Sequence, residues 1–241
     1  MSLSERQGVI LNMIVKDYIS TAEPVSSDFL KRKYELDLSS ASIRIEMQKL
    51  TDMGYLCQPH TSSGRVPLDK GYRFFVDHLV ESKIEKLINE RISKEIDRID
   101  SQIKDRLMFL QELNRILASA SSGLSISYSS ESKIFLKEGW RNLFSGPEFL
   151  NSDYIKDFFS VIDYFEENID DFNLNDDPLQ IYIGEESPIP KSSEFSILIS
   201  RCRLYEGKNG ILAILGPKRM AYDKNIFLIN SIIKLLNEKN L

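Results

Sequence analysis

Apolar residues at helical spacing predict two helices at the start of the chain. The first covers about residues 4–20 and begins with a capping-box pair, Ser4 and Gln7. Pro24 separates it from the second helix, because proline cannot continue a helix and disfavours helix at the residue before it. The second helix is short, from residue 26 or 27 to about residue 33.

A third helix and a hairpin are predicted next. Serines between residues 39 and 42 supply N-cap candidates, and Gly54 ends the apolar stripe. Two short strands follow at 55–58 and 66–68, joined by the polar loop 60–65, which places a glycine where a tight turn needs one. Three helices and a hairpin are the order of a winged helix-turn-helix DNA-binding domain, assigned here to residues 1–82. In such a domain a helix enters the major groove and the hairpin reaches the neighbouring backbone or minor groove.

The third helix turns a polar face away from its apolar stripe, and this face is the predicted DNA-reading surface. Arg44 is suited to guanine and Gln48 to adenine, whereas Ser42 and Lys49 are suited to phosphates. A solvated helix face is the alternative, and the hairpin that follows favours DNA binding. The complete set of predicted DNA contacts is Ser40, Ser42, Arg44, Ile45, Gln48, Lys49, His60, Thr61, Ser62, Ser63, Gly64, Arg65, Lys70 and Arg73.

A connecting region is predicted after the hairpin. Apolar residues recur every three or four positions, which predicts one long amphipathic helix over residues 83–118. The mean step exceeds 3.5 residues, so a strict leucine-zipper seam is not supported, and packing within the chain or across a dimer both stay open. Eight of the fourteen residues from 119 to 132 are serine, which predicts a flexible linker.

Residues 133–241 show the pattern of an antiparallel α+β domain, so the fold class of the whole chain is predicted as α+β. The hairpin between the last two strands is placed at Asn209-Gly210, preceded by Gly207. The predicted elements are a helix at 153–172 with Phe159 among its buried residues, strands at 179–184, 195–205 and 210–215, and a closing helix at 223–238.

The distribution of charge refines this assignment. The net charge of −5 argues weakly against nucleic-acid binding, because such proteins are commonly basic. However, ten acidic residues lie between positions 148 and 178, where Lys156 is the one basic residue. An acidic body is repelled by DNA, which leaves the N-terminal end of the chain to make the contact.

Other classes of protein find little support. Cys57 and Cys202 form no CxxC pair, so a disulfide framework and a cysteine zinc site are not expected, and a cytoplasmic location fits. No stretch is long enough for a membrane span, and no secretion signal is recognised. With two histidines and no phosphate-binding glycine motif, neither an enzyme nor a cofactor is expected.

The run SSASIRIEMQKLTDMGYLCQPHTSSGRVPLDKGYRFFVDHL, from Ser39 to Leu79, resembles the signature of the HrcA family of bacterial heat-inducible transcription repressors. The N-terminal run from Ser4 to Leu30 is similar to the same family. Three later segments also resemble it: NLFSGPEF from residue 142, IYIGEESPIP from residue 181 and GILAILGPKRMAY from residue 210.

The resemblance implies a homodimer that binds an inverted-repeat DNA operator of the CIRCE type upstream of chaperone genes. It also implies that the chaperonin GroEL keeps the repressor competent to bind. The family's central domain is GAF-like with an inserted dimerising piece, so a GAF-like domain is expected over residues 133–241.

Two departures from the family pattern change these expectations. Ile45 stands where the family usually has asparagine, which replaces a possible adenine contact by an apolar one, so the operator sequence is open. An ordinary exposed surface residue is the equal alternative for Ile45. The chain also looks shorter than family members, with material missing between about Leu124 and Lys137. A truncated GAF-like domain is therefore predicted, and its sensing and assembly roles are open.

Two alternative functions remain. One is a winged-helix regulator that responds to a small ligand and binds a different operator. The other is an assembly or chaperone-adaptor protein that does not bind DNA. Salt-sensitive DNA binding separates the repressor from the adaptor, and dependence on the chaperonin separates the two regulators.

Overall fold

A computed structural model of the chain describes residues 3–79, 92, 94–99, 101, 103, 105–121, 123–172, 179–204 and 209–239. The chain divides into two compact units between Leu79 and Val80. Helices and antiparallel sheets make up both units, which confirms the predicted α+β class. Within these ranges, no helix combines the length and apolarity that crossing a bilayer requires.

The N-terminal unit contains four helices and a two-stranded sheet. Ser4, Ser26 and Ser39 each cap a helix, because each side-chain oxygen accepts the backbone N–H of the third residue on. The first three helices are therefore confirmed where their caps predict them. The elements are α1 Glu5–Thr21, α2 Ser27–Tyr34, α3 Ser40–Asp52, β1 Leu56–Cys57, β2 Val66–Pro67 and α4 Asp69–Asp77.

Helices α1, α2 and α3 pack through the apolar stripes that the sequence shows. Leu11, Leu30 and Ile43, one from each helix, have no exposed surface, and burial of such a side chain contributes about 1.5–3 kcal/mol. The buried Asp17 of α1 also pairs with Lys33 of α2 and accepts the hydroxyl of Tyr34 at 3.2 Å. Burial, with the Asp17 charge second, raises the pKa of Tyr34. These contacts fix α2 against α1, and α3 packs on both.

The C-terminal unit is built on a five-stranded antiparallel sheet with strand order β4-β3-β7-β6-β5. Short 3-10 turns cover Pro147–Leu150, Ile169–Asp171 and Gly184–Glu186. The main elements are α5 Arg106–Ser121, β3 Leu124–Ser129, β4 Ile134–Glu138, α6 Trp140–Leu143, α7 Ser152–Asn168, β5 Gln180–Ile183, β6 Phe195–Arg203, β7 Asn209–Pro217 and α8 Tyr222–Lys239.

Both faces of this sheet are covered by helices. Alternate apolar residues of the strands, such as Ile126 and Ile197, pack with Phe158 and Phe165 of α7 in one core. Helices α5 and α8 contact the sheet as well. Their polar side chains bond to strand residues that lie between the core residues, as in the 2.6 Å contact between the hydroxyls of Tyr222 and Ser196. The sheet is therefore the middle layer of three.

The flexible linker predicted at residues 119–132 is wrong. Residues 119–121 end helix α5, and β3 lies between β4 and β7 with all six of its residues buried. The serines at 125, 127 and 129 alternate with apolar residues, so this is a strand pattern with serine on one face. Composition concealed the pattern. The sheet begins at Leu124, inside the predicted linker, whereas the first strand of the C-terminal domain was predicted at residue 179.

The single connecting helix predicted over residues 83–118 is also wrong. Residues 83–91 lie outside the described residues. Among the described ones, residues 94–99 are helical, but Ile103 and Asp105 are not, and α5 runs from Arg106 to Ser121. The Asp105 carboxylate accepts the N–H of Met108 at 2.9 Å, as an N-cap residue does, so a new helix begins there.

The other predicted C-terminal elements lie close to their predicted positions, with two exceptions, whereas β4 and α6 were not predicted. Helix α8 confirms the predicted closing helix, and α7 confirms the helix at 153–172, although Phe159, expected in the core, is 43% exposed. Asn209 and Gly210 are not a turn, because they pair with Arg203 and Cys202 inside the β6–β7 ladder. The predicted hairpin residue Gly207 lies outside the described residues.

Asn114 of α5 bonds to two serines on the sheet face that α5 and α8 cover. It is fully buried, its amide nitrogen donates to the Ser127 hydroxyl at 2.8 Å, and its oxygen accepts from Ser125 at 2.7 Å.

The variant Asn114→Ala is expected to lower the free energy of unfolding by about 3 kcal/mol, because each buried group left unpaired costs about 1–3 kcal/mol. Chemical denaturation measures this loss. The exposed Asn142→Ala is the control and should stay within about 0.5 kcal/mol of the parent; equal effects of the two variants would show that the Asn114 bonds contribute nothing.

Candidate nucleic-acid interface

Helix α3 has one buried face and one exposed face. Ile43, Met47 and Leu50 are buried, at the spacing that places them on one side of a helix. The side chains of Arg44, Ile45, Gln48 and Lys49 are exposed, and Ser40 and Ser42 are half-buried at the first turn. The exposed set is the one that the helical rotation predicts.

Arg44 and Ile45 lie next to each other on this exposed face. No hydrogen bond or ion pair joins the Arg44 guanidinium to another described residue, so its five N–H donors are open to solvent. Ile45 is 57% exposed. Together they present a planar cation and an apolar side chain to whatever approaches α3.

Farther along α3, the polar side chains have partners within the unit. The Gln48 nitrogen donates to Asp52 at 2.8 Å, and its oxygen accepts from Arg65 at 3.0 Å. Lys49 pairs with Glu46 at 3.0 Å. The two predicted contacts at this end of α3 are therefore already bonded to neighbouring side chains.

Glu46 also joins α3 to α1. Its carboxylate accepts the Gln7 amide at 3.0 Å as well as the Lys49 ammonium. The hydrogen bond from Lys49 is the main cause that lowers the Glu46 pKa, with Gln7 helping. The carboxylate therefore stays ionised well below neutral pH and holds Lys49 along the helix.

The connection between β1 and β2 exposes His60, Thr61 and Ser62 at its tip. The Gln58 amide donates to the carbonyls of Thr61 and Ser63 at 2.9 and 3.0 Å, which closes the loop from inside. The Ser63 hydroxyl accepts the His60 N–H at 3.0 Å and donates to the His60 carbonyl at 2.7 Å. Ser63 thus shapes the loop, and the other three side chains form its outer surface.

Arg65 and Gly64 are placed differently from the prediction. Arg65 is only 8% exposed, and its guanidinium donates to Gln48 and, at 3.1 Å, to Thr51. The side chain therefore points onto α3 and not outward from the loop tip, and its phosphate contact stays a prediction. Gly64 does not form the tight turn either: a Cβ there would lie 2.4 Å from the Val25 backbone, so it permits a close approach of two chain segments.

Lys70 and Arg73 of α4 are also bonded within the unit. The Lys70 ammonium donates to the Met53 carbonyl at the end of α3 at 2.9 Å and lies 4.3 Å from the centre of the Tyr55 ring. Arg73 pairs with Asp77 at 3.4 Å. The structure shows these contacts of Lys70 and Arg73 within the N-terminal unit, and their contacts with DNA stay predictions.

Sequence inspection missed the residues that organise this surface. Asp52 and Thr51 receive the bonds that orient Gln48 and Arg65, and Val25 pairs with Arg65 through two backbone hydrogen bonds of 2.8 and 2.9 Å. The four-residue spacing of Gln48 and Asp52 could have indicated their contact. Nothing in the local sequence indicates that Arg65 reaches α3.

Cys202 lies in the core and is not placed for nucleophilic chemistry. Burial raises the pKa of the Cys202 thiol to about 12, so the thiolate that acts as a nucleophile does not form near neutral pH. In the described parts of the chain, no three side chains of the metal-binding types come together.

The fold and this surface define a two-unit α+β protein whose N-terminal unit carries a helix with an exposed arginine, Arg44, that has no partner among the described residues. Residues 62–226 match a family model described as the HrcA protein C-terminal domain. The match covers more than half of the 241 residues, and the chain belongs to the HrcA family.

Named relatives agree with this membership, and a solved structure shares the fold. The heat-inducible transcription repressor HrcA of Acetivibrio thermocellus is 29% identical, with 99% of this chain and 96% of the relative covered. The HrcA of Clostridium perfringens strain ATCC 13124 is 27% identical, with 98% of each covered. A crystal structure of a hypothetical protein at 2.2 Å resolution has a TM-score of 0.78 at 20% identity over 98% of each chain, which shows the fold alone.

The alignment also shows that this chain is short for its family. It extends over 339 positions with the Acetivibrio relative, and the 241 residues of this chain fill at most 241 of them, so at least 98 positions have no counterpart here. The predicted position of the missing material, between Leu124 and Lys137, stays a prediction. In this chain β3 and β4 cover that stretch as one antiparallel hairpin.

Proposed function

We propose that this protein represses transcription of heat-shock genes by binding double-stranded DNA through its N-terminal unit. The observation that carries the proposal is the exposed pair Arg44 and Ile45, in which the arginine has no partner among the described residues. Arginine donates bidentately to guanine, and an apolar side chain fits the thymine methyl group. The relatives' name, heat-inducible transcription repressor, supports the same function.

In this proposal the N-terminal unit is a winged helix-turn-helix. Helix α3 is the recognition helix and the β1–β2 connection is the wing, with Ser40, Ser42, Arg44, Ile45 and Lys49 on the first and His60, Thr61 and Ser62 on the second. The order of the elements and the exposure of these side chains support the assignment. Hydroxyl groups suit phosphate contacts, which position a protein on DNA without reading its sequence.

A homodimer on a CIRCE-type inverted repeat completes the proposal. A two-fold protein binds a two-fold operator, with one recognition helix for each half-site. The C-terminal unit, proposed here as GAF-like and responsible for assembly, would keep the two N-terminal units paired in the cytoplasm. Its antiparallel sheet, covered by helices on both faces, supports this assignment.

Selection of bound fragments from random double-stranded DNA tests the proposal. The expected result is an inverted repeat, bound with an affinity that falls as salt rises, by a slope of about 0.9 per neutralised phosphate in a double-logarithmic plot. Recovery of single, unpaired half-sites would contradict the dimer. The absence of any salt-sensitive binding would contradict DNA binding itself and favour the adaptor alternative.

Modulation by the chaperonin GroEL is proposed on family membership alone. Operator binding is measured with and without the chaperonin, at one fixed salt concentration. An affinity or active fraction that rises with the chaperonin supports the proposal. Equal binding in both conditions contradicts this part and leaves repression standing.

A further inference from the structure

Helix α3 exposes two side chains that are suited to reading bases, Arg44 and Gln48, but they are not equally available. Arg44 has no partner among the described residues. Gln48 is bonded at both ends of its amide, to Asp52 at 2.8 Å and to Arg65 at 3.0 Å. Reading adenine requires the glutamine oxygen and nitrogen together, so neither partner could stay in place during such a contact.

Arg65 is held too firmly to be displaced easily. Its side chain is almost fully buried and also donates to Thr51 at 3.1 Å, and its backbone pairs with Val25 through two hydrogen bonds. If Gln48 turned away, Arg65 would keep a buried donor without an acceptor. The free-energy cost of an unpaired buried donor is as large as the gain from one bidentate base contact.

The charge of Asp52 acts in the same direction. It is exposed near the C-terminal end of α3, one turn beyond Gln48. A carboxylate at this position repels DNA phosphates, so the favourable part of α3 is its N-terminal half, where Ser42, Arg44 and Ile45 lie. In helix-turn-helix proteins, the N-terminal residues of the recognition helix are the ones that contact base edges.

We propose that Arg65 is a specificity-determining positioning residue, which holds Gln48 away from the bases and leaves discrimination to Arg44 and Ile45. This inference rests on the proposed function, since it concerns which residues of α3 read the operator. In this proposal Gln48 has a structural role, and Arg65, at the end of the β1–β2 connection, helps to determine which operator sequence is bound.

The test compares base preferences of the full-length chain and of three variants: Gln48→Ala, Arg65→Met and the double variant. Each is used in a selection from random DNA, and affinities for the recovered sites are measured at one salt concentration. In the parent background, Gln48→Ala is expected to change affinity by less than about twofold, with the same preferred sequence. Arg65→Met is expected to add or change a base preference, because it frees the Gln48 amide oxygen and leaves only the bond to the exposed Asp52, and the double variant should lose that new preference.

Several outcomes would overturn the inference. A loss of about tenfold or more for Gln48→Ala on the preferred site alone would show that Gln48 reads a base. Unchanged preferences with uniformly weaker binding for Arg65→Met would show that Arg65 affects stability or phosphate contact only. Gln48→Ala keeps the test decisive even where Arg65→Met fails to fold, because Gln48 is exposed. If the parent chain binds no DNA, the proposed function is contradicted as well. The Gln48→Ala and Arg65→Met outcomes would contradict only this inference.

Discussion

Replacement of Arg44 by alanine is expected to weaken binding to the selected operator by about 1–3 kcal/mol, the range for one bidentate base contact. The Arg44 guanidinium is exposed on α3 and has no partner among the described residues, so its removal leaves no unpaired group behind in the free protein. The loss should therefore appear in DNA binding and hardly at all in stability. Titrations on the operator and on random DNA of equal length, at one salt concentration, measure it.

Two comparisons decide what the Arg44 result means. Arg141→Ala removes the same charge from an exposed position of the C-terminal unit and should leave operator binding within about 0.5 kcal/mol of the parent. If Arg44→Ala loses the same affinity on the operator and on random DNA, Arg44 contacts phosphates and does not read a base. A reduced preference for one base at one position of the operator would identify the base that it contacts.

The elements that were predicted well are those whose signals are local. Ser4, Ser26 and Ser39 cap helices, and each cap depends on residues only three positions away. The exposure of Ile45 likewise follows from the rotation of one helix. Local chemistry therefore suffices to place α1, α2 and α3 and to identify which face of α3 meets solvent.

The elements that were missed depend on distant partners. The serines of β3 suggest a linker in isolation, but Asn114 satisfies two of them from another element, which makes a buried serine strand acceptable. The break at Asp105 has a local cause, an N-cap in the middle of an apolar stripe, and the continuous stripe concealed it. Neither composition nor periodicity indicates where the polar groups of a segment find their partners.

The candidate site shows the same division. Its exposed residues were identified from helix geometry, but the position of Arg65 was not, because it depends on the pairing of residues 40 positions apart, Val25 and Arg65. That pairing brings the arginine from the loop onto α3. This tertiary contact places the Arg65 guanidinium against Gln48 of α3, which the sequence of the loop does not indicate.

Gly64 is the residue that makes this pairing possible, and Gly64→Ala is expected to disrupt it. A Cβ at this position would lie 2.4 Å from the carbonyl carbon and oxygen of Val25 and 2.7 Å from the carbonyl carbon of Pro24. These are backbone atoms, which cannot turn aside as a flexible side chain can. The loop must move away, and the two Val25–Arg65 hydrogen bonds and the Arg65 contacts with α3 are lost together.

We expect Gly64→Ala to lower the free energy of unfolding by about 3 kcal/mol or more, since backbone strain and broken buried bonds add. The matched control is Gly54→Ala. Gly54 has a φ of +76°, but a Cβ added there would meet no neighbouring atom within 4 Å. Only the left-handed backbone conformation therefore disfavours alanine, and the free energy of unfolding should fall by about 1–2 kcal/mol. Chemical denaturation gives both values, and binding below the unfolding transition should weaken on operator and random DNA alike for Gly64→Ala. A Gly64 variant as stable as the Gly54 variant would mean that the loop can shift at little cost, and that its contact with α3 is not what holds Arg65 in place.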